Sequence, residues 1–242
     1  MTSTDEILAL AASAAAAPER LAAGVGVTEA DLAAFSQAAA RGADSDAVRA
    51  LRAIRPAAPP AGDPAWTAWL TAAAATAASE ATGNREKTNA GPVHPAWLAV
   101  FAAGTALADT TLAGTALADT ASSDTGVTVT AAIAAGMGAA AITETGLTDW
   151  GGWSSGTVAA VIGACVTAGL LLGLTRPQLR AALGICATQA AGLAAAEGTP
   201  AFALQVGKAA FNGVEAALLA RAGFTAPHDA LDGRRGLFAL FG

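Results

Sequence analysis

The sequence contains few of the side chains that build metal centres and disulfide frameworks. Among 242 residues there are two cysteines, two histidines and no tyrosine. So few sulfur and imidazole ligands predict neither a four-ligand zinc site nor a set of disulfides. This use of cysteine is typical of a reducing, intracellular compartment.

Charged residues are also scarce, at 13% of the chain, and the 13 basic residues are outnumbered by 19 acidic ones. Binding to nucleic acid needs clustered lysine and arginine, so the net charge of −6 argues against a nucleic-acid partner. No basic stretch precedes an apolar run near the N-terminus, so we expect no secretory signal and a cytoplasmic location.

Alanine is abundant and fills roughly three in ten positions, and the mean hydropathy is +0.48. Residues 151–175 and 125–143 carry no charge, and each run is long enough to span a bilayer. Both runs, however, are built on Ala, Gly and Thr, and they lack flanking basic residues and aromatic belts. We therefore favour buried helices in the core of a soluble protein over membrane spans.

Helix-start signals recur along the chain, whereas strand signals are nearly absent. Thr28 begins a T-x-x-D capping pattern, Asp63 precedes Pro64, and Thr175 is followed three residues later by Gln178. These patterns predict an all-α protein of about eight or nine helices. The proline-rich stretch 55–64 divides N-terminal helices and a linker (1–62) from a larger helical core (63–242), and the two parts are expected to form one integrated domain.

The C-terminal half contains an ordered series of motifs. GWSSGT at 152–157 is followed by LLLGLTRPQLRAALGICATQAAGL at 170–193, GKAAFNGVEAALLARAGFTAP at 207–227 and LDGRRGLFALFG at 231–242. In order and spacing these segments resemble the MmgE/PrpD family, which includes 2-methylcitrate dehydratase and cis-aconitate decarboxylase. A weaker similarity covers residues 91–143.

The resemblance implies a multi-helix bundle like the larger domain of these enzymes, ending where their second, α+β domain would begin. It further implies a homodimer formed through the bundle, with neither metal nor organic cofactor. Family enzymes add or remove water or carbon dioxide on small tricarboxylic acids, using His, Lys and Asp side chains between two domains. We therefore expect a small-molecule substrate and no membrane partner.

Several charged catalytic positions of the family are replaced in this chain. The resemblance places Ser154 at the histidine of the family's G-W-H-P-T motif and Thr88 at a second histidine. Phe202 falls at a lysine, and Gln205 at a further histidine. Ser, Thr, Phe and Gln neither transfer protons readily at neutral pH nor balance the charge of a tricarboxylate. We therefore do not expect the ancestral reaction in its ancestral form.

Three residues are candidates for catalysis, namely His94, Lys208 and Ser154. Lys208 is one of two lysines; if desolvated it would be a base or an anion anchor, and the alternative is a lysine that reaches solvent along an apolar surface. Histidine side chains commonly transfer protons at neutral pH, so His94 would replace a lost acid–base group, or it is a hydrogen-bonded turn residue.

The segment around residues 153–157 precedes a helix, so its backbone N–H groups would bind an anion unless Ser155 or Thr157 simply caps that helix. Glu144 and Asp149 flank this loop and would supply an acid or lie exposed. The predicted substrate-binding residues are Thr88, Trp153, Ser155, Thr157, Phe202 and Gln205. Cys165 and Cys186 lie in apolar stretches and are expected to be inert core residues.

Two functions remain open on these residues. The first is a diverged lyase or cyclase that dehydrates, isomerises or cyclises a less charged substrate, such as an intermediate of secondary metabolism, by holding a reactive conformation. The second is a non-catalytic or half-enzyme subunit that pairs with a separately encoded lid-domain chain, because a bundle without its second domain would expose apolar surface.

Overall fold

The structure is a computed structural model that describes residues 2–54, 63–81, 94–112, 126–147 and 151–240. Within these ranges the chain forms ten α-helices and no strand, which confirms the all-α prediction. The helices are α1 (Ser3–Ala16), α2 (Pro18–Val25), α3 (Glu29–Gly42), α4 (Asp46–Ile54), α5 (Pro64–Ala81), α6 (Pro95–Leu112), α7 (Val129–Gly146), α8 (Ser155–Leu171), α9 (Arg176–Ala187) and α10 (Pro200–Arg221). The sequence predicted eight or nine helices, so the number is slightly higher than expected.

Three helices begin where the capping patterns predicted. Thr28 and Asp31 form a reciprocal capping box at the start of α3. The Asp63 carboxylate accepts the Trp66 N–H at 3.0 Å and so satisfies a free donor in the first turn of α5. Thr175 is the N-cap of α9, as expected from its spacing to the glutamine three residues later.

Helix α8 occupies the centre of the bundle. All of its residues except Ser155 are buried, and it packs against α6, α7, α9 and α10. The charge-free run 151–175 therefore comprises the buried helix α8 and the turns at its two ends. In the part of the chain that the structure describes, no helix is long and apolar enough to cross a membrane.

Small residues allow these central helices to approach closely. A Cβ added at Gly163 of α8 would lie 2.8 Å from the Gly136 carbonyl oxygen of α7. Across the same contact, the buried Thr167 hydroxyl donates to the Ala132 carbonyl at 3.2 Å. The alanine and glycine content therefore sets the helix spacing, because larger side chains would hold the backbones apart.

The N-terminal and C-terminal segments of the described chain are joined by hydrogen bonds. The Asp232 carboxylate accepts the backbone N–H groups of Ser3 and Thr4 at 3.1 and 3.0 Å, so a distant residue caps the start of α1. Helix α1 packs against α7, and α3 packs against α5. Residues 55–62 of the predicted linker lie outside the described residues, and the division of the chain near residue 62 stays a prediction.

Candidate functional site

The loop that leads into α8 pairs with the segment that leads into α10. The Ser154 N–H donates to the Gly192 carbonyl at 3.0 Å, and the Ala194 N–H donates to the Gly152 carbonyl at 3.0 Å. Gly152 has a φ of +92°, in the region that favours glycine. Gly192 lies so close to Thr157 that an added Cβ would be 2.7 Å from the threonine Cβ. This pairing fixes the first turn of α8 against the chain that precedes α10.

Hydrogen bonds join three of the predicted site residues. The buried Ser154 and Thr157 hydroxyls are 2.9 Å apart, and the Gln205 side-chain nitrogen lies 3.5 Å from the Thr157 hydroxyl. The Gln205 amide also accepts the Leu193 N–H at 3.1 Å and donates to the Leu193 carbonyl at 3.2 Å. The N-cap of α8 is Ser154, rather than Ser155 or Thr157 as the capping alternative supposed, and within the described ranges its side chain makes no capping bond.

A pocket of about 190 Å³ lies beside Gln205, between α8, α10 and the segment that follows α9; we call it the Lys208 pocket. Most of its wall is apolar, and its polar members are three amides and one lysine. The lining residues are Val161, Gln189, Ala191, Leu204, Gln205, Lys208, Ala209 and Asn212. Of the predicted site residues, the structure therefore places Gln205 and Lys208 in one cavity.

Lys208 is half-buried, and its ammonium lies over two aromatic rings. The Nζ atom is 3.8 Å from the Phe211 ring centroid and 4.9 Å from the Trp69 ring centroid. Burial lowers the pKa of Lys208, because the charged form loses water, and the nearby Glu215 carboxylate partly opposes this effect. Lys208 thus carries a partly desolvated amine that lies against two rings, and its side chain lines a mostly apolar pocket.

His94 lies at the start of α6 and has both ring nitrogens engaged. Its Nε2 is 3.2 Å from a Glu144 carboxylate oxygen, and its Nδ1 accepts the Ala96 N–H at 3.3 Å. The two side chains are 14% and 18% exposed. A Cβ at Gly156 would lie 3.0 Å from the imidazole, so the pair packs against the first turn of α8.

These contacts agree with the alternative interpretation, in which His94 is a hydrogen-bonded turn residue. Among the described residues, no hydrogen bond or ion pair joins His94 to Ser154, Gln205 or Lys208. The structure therefore does not bring the three residues predicted for catalysis into one hydrogen-bonded group, and a catalytic role for His94 stays a prediction.

The remaining predicted residues are spread around the loop. Trp153 is 39% exposed and lines a wider groove of about 770 Å³ with the C-terminal segment. Ser155 and Phe202 are half-buried in the first turns of α8 and α10. Thr88 and Asp149 lie outside the described residues.

Asn212 belongs to the Lys208 pocket although the sequence analysis did not single it out. Residues 205, 208 and 212 follow the i, i+3, i+7 spacing of one helix face, so the pattern around Lys208 was the signal that would have found it. Cys165 and Cys186 are buried, as predicted, and burial raises the pKa of the Cys186 thiol. Within the described ranges no three His, Cys, Asp or Glu side chains cluster as metal ligands do.

Comparison with known proteins supports the resemblance seen in the sequence. The family model described as the MmgE/PrpD N-terminal domain matches residues 99–242, which is more than half of the chain. The matched stretch contains α7 to α10 and most of α6, and so both sides of the Lys208 pocket. A search of curated proteins finds no match.

Proposed function

Because the chain belongs to the MmgE/PrpD family, we propose that it is a diverged lyase or cyclase of a small, relatively apolar organic substrate. The proposed reaction is a dehydration, isomerisation or cyclisation that needs no cofactor. The supporting observation is the Lys208 pocket, which joins mostly apolar walls to a single cation. A pocket of this kind suits a small molecule with an apolar body and one anionic group.

Lys208 is the anion anchor in this proposal. The Phe211 and Trp69 ring faces stabilise its ammonium, and no carboxylate among the described residues forms an ion pair with it. An anionic substrate group would meet this ammonium in an apolar setting, where charge–charge attraction is stronger than in water. The lowered pKa of Lys208 also makes proton abstraction by its neutral amine the alternative role.

Ser154 and Thr157 act on the substrate through Gln205 in this proposal. Their hydroxyls are bonded to each other, and the threonine hydroxyl contacts the Gln205 amide at the edge of the pocket. Each hydroxyl is already engaged, so positioning is the role that fits these contacts. Substrate contacts by Trp153, Ser155 and Phe202 stay predictions.

Turnover of defined compounds tests the proposal. The full chain would be incubated with a panel of short-chain hydroxy, keto and unsaturated carboxylic acids, and proton NMR would follow gain or loss of water, ring closure or double-bond migration. We expect conversion of at least one compound, loss of that conversion in Lys208→Met, and unchanged conversion in Glu197→Gln, which alters an exposed carboxylate. Absence of conversion across the panel, or full activity of Lys208→Met, would contradict it.

The role of His94 is decided in the same assay. If His94 only holds the start of α6 against Glu144, His94→Gln lowers thermal stability and leaves the pH profile of turnover unchanged. If it transfers a proton, the profile loses one of its limbs.

Exposed apolar side chains favour a second candidate function, that of a subunit whose site another polypeptide covers. Trp153, Leu193 and Leu204 are 39%, 57% and 44% exposed, and they lie beside the mouth of the Lys208 pocket. Light scattering of the purified chain and of Leu193→Glu tests whether this patch joins two copies, as the expected homodimer would require. A monomer in both cases, with turnover only after a second protein is added, would favour the subunit function.

A further inference from the structure

We propose that Lys208 is a nucleophile whose neutral amine forms an imine with an uncharged aldehyde or ketone held in the Lys208 pocket. The proposed function contains no covalent bond between the protein and its substrate, so this inference goes beyond it. The class of ligand is a small carbonyl compound with an apolar body and no charge.

The Lys208 pocket is a cavity that suits such a ligand. Among the described residues that line it, Lys208 is the only charged one. The apolar part of the wall is formed by Val161, Ala191, Leu204 and Ala209. An uncharged ligand lies against this wall without bringing an unpaired charge, whose burial is unfavourable. Once Lys208 is neutral, the pocket therefore favours an uncharged carbonyl compound over an ion.

The amine of Lys208 has no polar partner that holds it in place. Among the described residues, no hydrogen bond or ion pair involves its Nζ atom. Its close contacts are the ring faces of Phe211 and Trp69. Neither ring lines the pocket, although the Lys208 side chain does. The rings therefore hold the nitrogen from outside the cavity.

The contact with the rings depends on the charge of the amine. A ring face attracts an ammonium group electrostatically, and a neutral amine loses this attraction. Burial lowers the pKa of Lys208, so the neutral form is reached at a lower pH than in an exposed lysine, although the Glu215 carboxylate partly opposes this effect. Loss of the proton thus frees the flexible side chain to turn its nitrogen from the rings into the pocket.

The chemical step needs only this amine and the carbonyl compound. The nitrogen lone pair adds to the carbonyl carbon, and a proton moves from nitrogen to oxygen to give a carbinolamine. Its C–O bond then breaks, one water molecule leaves and a C=N bond forms. Addition of water reverses the step and returns the free amine. An imine makes the neighbouring carbon more acidic, which is how lysine amines activate carbonyl substrates.

Reductive trapping tests this inference without depending on turnover. The full chain would be incubated with pentanal and sodium cyanoborohydride at neutral pH, so that any imine is reduced to a stable secondary amine. Peptide mapping by mass spectrometry separates Lys208 from the N-terminal amine and from Lys87, the only other lysine. We expect Lys208 to be modified at least about tenfold faster than free Nα-acetyllysine in the same solution, because the pocket holds the aldehyde beside the amine. A smaller ratio would overturn the inference.

Two variants show whether the pocket is responsible for the rate. Ala191→Leu fills part of the cavity and leaves the amine intact, so modification of Lys208 should slow. Ala195→Leu adds the same volume at an exposed residue that does not line the pocket, so it is the matched control and should keep the wild-type rate. Equal rates in the two variants would overturn the inference. If Ala191→Leu does not fold, excess 1-pentanol decides in the wild type: slower modification of Lys208 alone supports the inference, and an unchanged rate overturns it.

The panel of carboxylic acids that tests the proposed function separates the two proposals. A low trapping ratio together with conversion of an acid would overturn the imine and leave Lys208 as an anion anchor. A high ratio without any conversion would support the imine and overturn the proposed function. A low ratio without conversion would overturn both.

Discussion

The contact between α8 and α10 has two parts with opposite properties. Around Gly213 the helices touch so closely that an added Cβ would lie 2.6 Å from the Ala164 Cβ and 2.7 Å from the Cys165 backbone nitrogen. About one turn earlier on each helix, around Lys208 and Val161, the same pair of helices leaves a pocket of about 190 Å³. We call these two parts the closed end and the pocket end.

The comparison indicates how one interface serves both stability and binding. At the closed end the residues are small and apolar, so their energy comes from close packing. At the pocket end a mostly apolar wall also carries three amides and one lysine, and one buried oxygen has no partner among the described residues. Substitutions should therefore change the free energy of unfolding at the first end and ligand binding at the second.

The largest expected effect is at the closed end. Gly213→Ala should lower the free energy of unfolding by about 1–3 kcal/mol, because the new methyl meets backbone atoms that cannot turn aside. Urea denaturation measures the change.

Gly24→Ala is the matched control for this substitution. Gly24 is also helical, in α2, but no atom of the described residues lies within 4 Å of its added Cβ. This variant should gain up to about 1 kcal/mol, because alanine restricts the unfolded chain and favours helix. Equal stability of the two variants would show that the closed end tolerates added volume.

The sequence alone predicted the features that depend on local chemistry. The starts of α3, α5 and α9 follow from capping residues within four positions of each other, and such contacts do not depend on the rest of the fold. The burial of α8 was predictable because a long stretch without charged residues is typical of a helix in the protein interior and not of one that faces water.

The geometry of the site depended on contacts between distant residues. The His94–Glu144 pair joins α6 to α7, and the Thr157–Gln205 contact joins α8 to α10. No spacing in the sequence specifies such pairs, because tertiary packing decides them. The sequence therefore identified the catalytic candidates only as separate positions. Helical spacing from Lys208 could have indicated Asn212, but the unpartnered oxygen of its side chain is visible only in three dimensions.

An intermediate effect is expected where the loop meets the pocket end. Thr157→Val preserves the shape of a fully buried side chain but removes the hydroxyl that contacts Ser154 and Gln205. The free energy of unfolding should fall by about 1 kcal/mol, the usual worth of one such bond. Gln205 should also lose one hydrogen bond and keep its two bonds to the Leu193 backbone, so binding at the Lys208 pocket should weaken.

Thr143→Val is the matched control for Thr157→Val. Thr143 is equally buried, but in the part of the chain that the structure describes its hydroxyl bonds only to the Ala139 carbonyl within its own helix. Its substitution should leave ligand binding unchanged. Weakened binding in both variants would show that the loop has no special connection to the pocket.

The smallest expected effect is a change in titration at Lys208. Burial lowers its pKa below the ordinary 10.5, so the native chain releases this proton at a lower pH than the unfolded chain. Between the two pKa values the unfolded state binds more protons, and the stability contribution of this group therefore rises with pH across that window. Below the window the buried ammonium is a cost to folding, which the aromatic rings partly offset.

NMR of the chain labelled at lysine Cε measures this pKa directly, since Lys87 is the only other lysine and Lys208→Met assigns the signals. We expect a Lys208 midpoint below 10.5 and a further decrease in Glu215→Gln, because the Glu215 carboxylate favours the charged form. Glu197→Gln alters a residue that does not line the pocket, so it should leave the Lys208 midpoint unchanged. A midpoint at or above 10.5 would mean that the ring faces outweigh the loss of water, and the pocket end would then bind anions through a permanent cation across the whole accessible pH range.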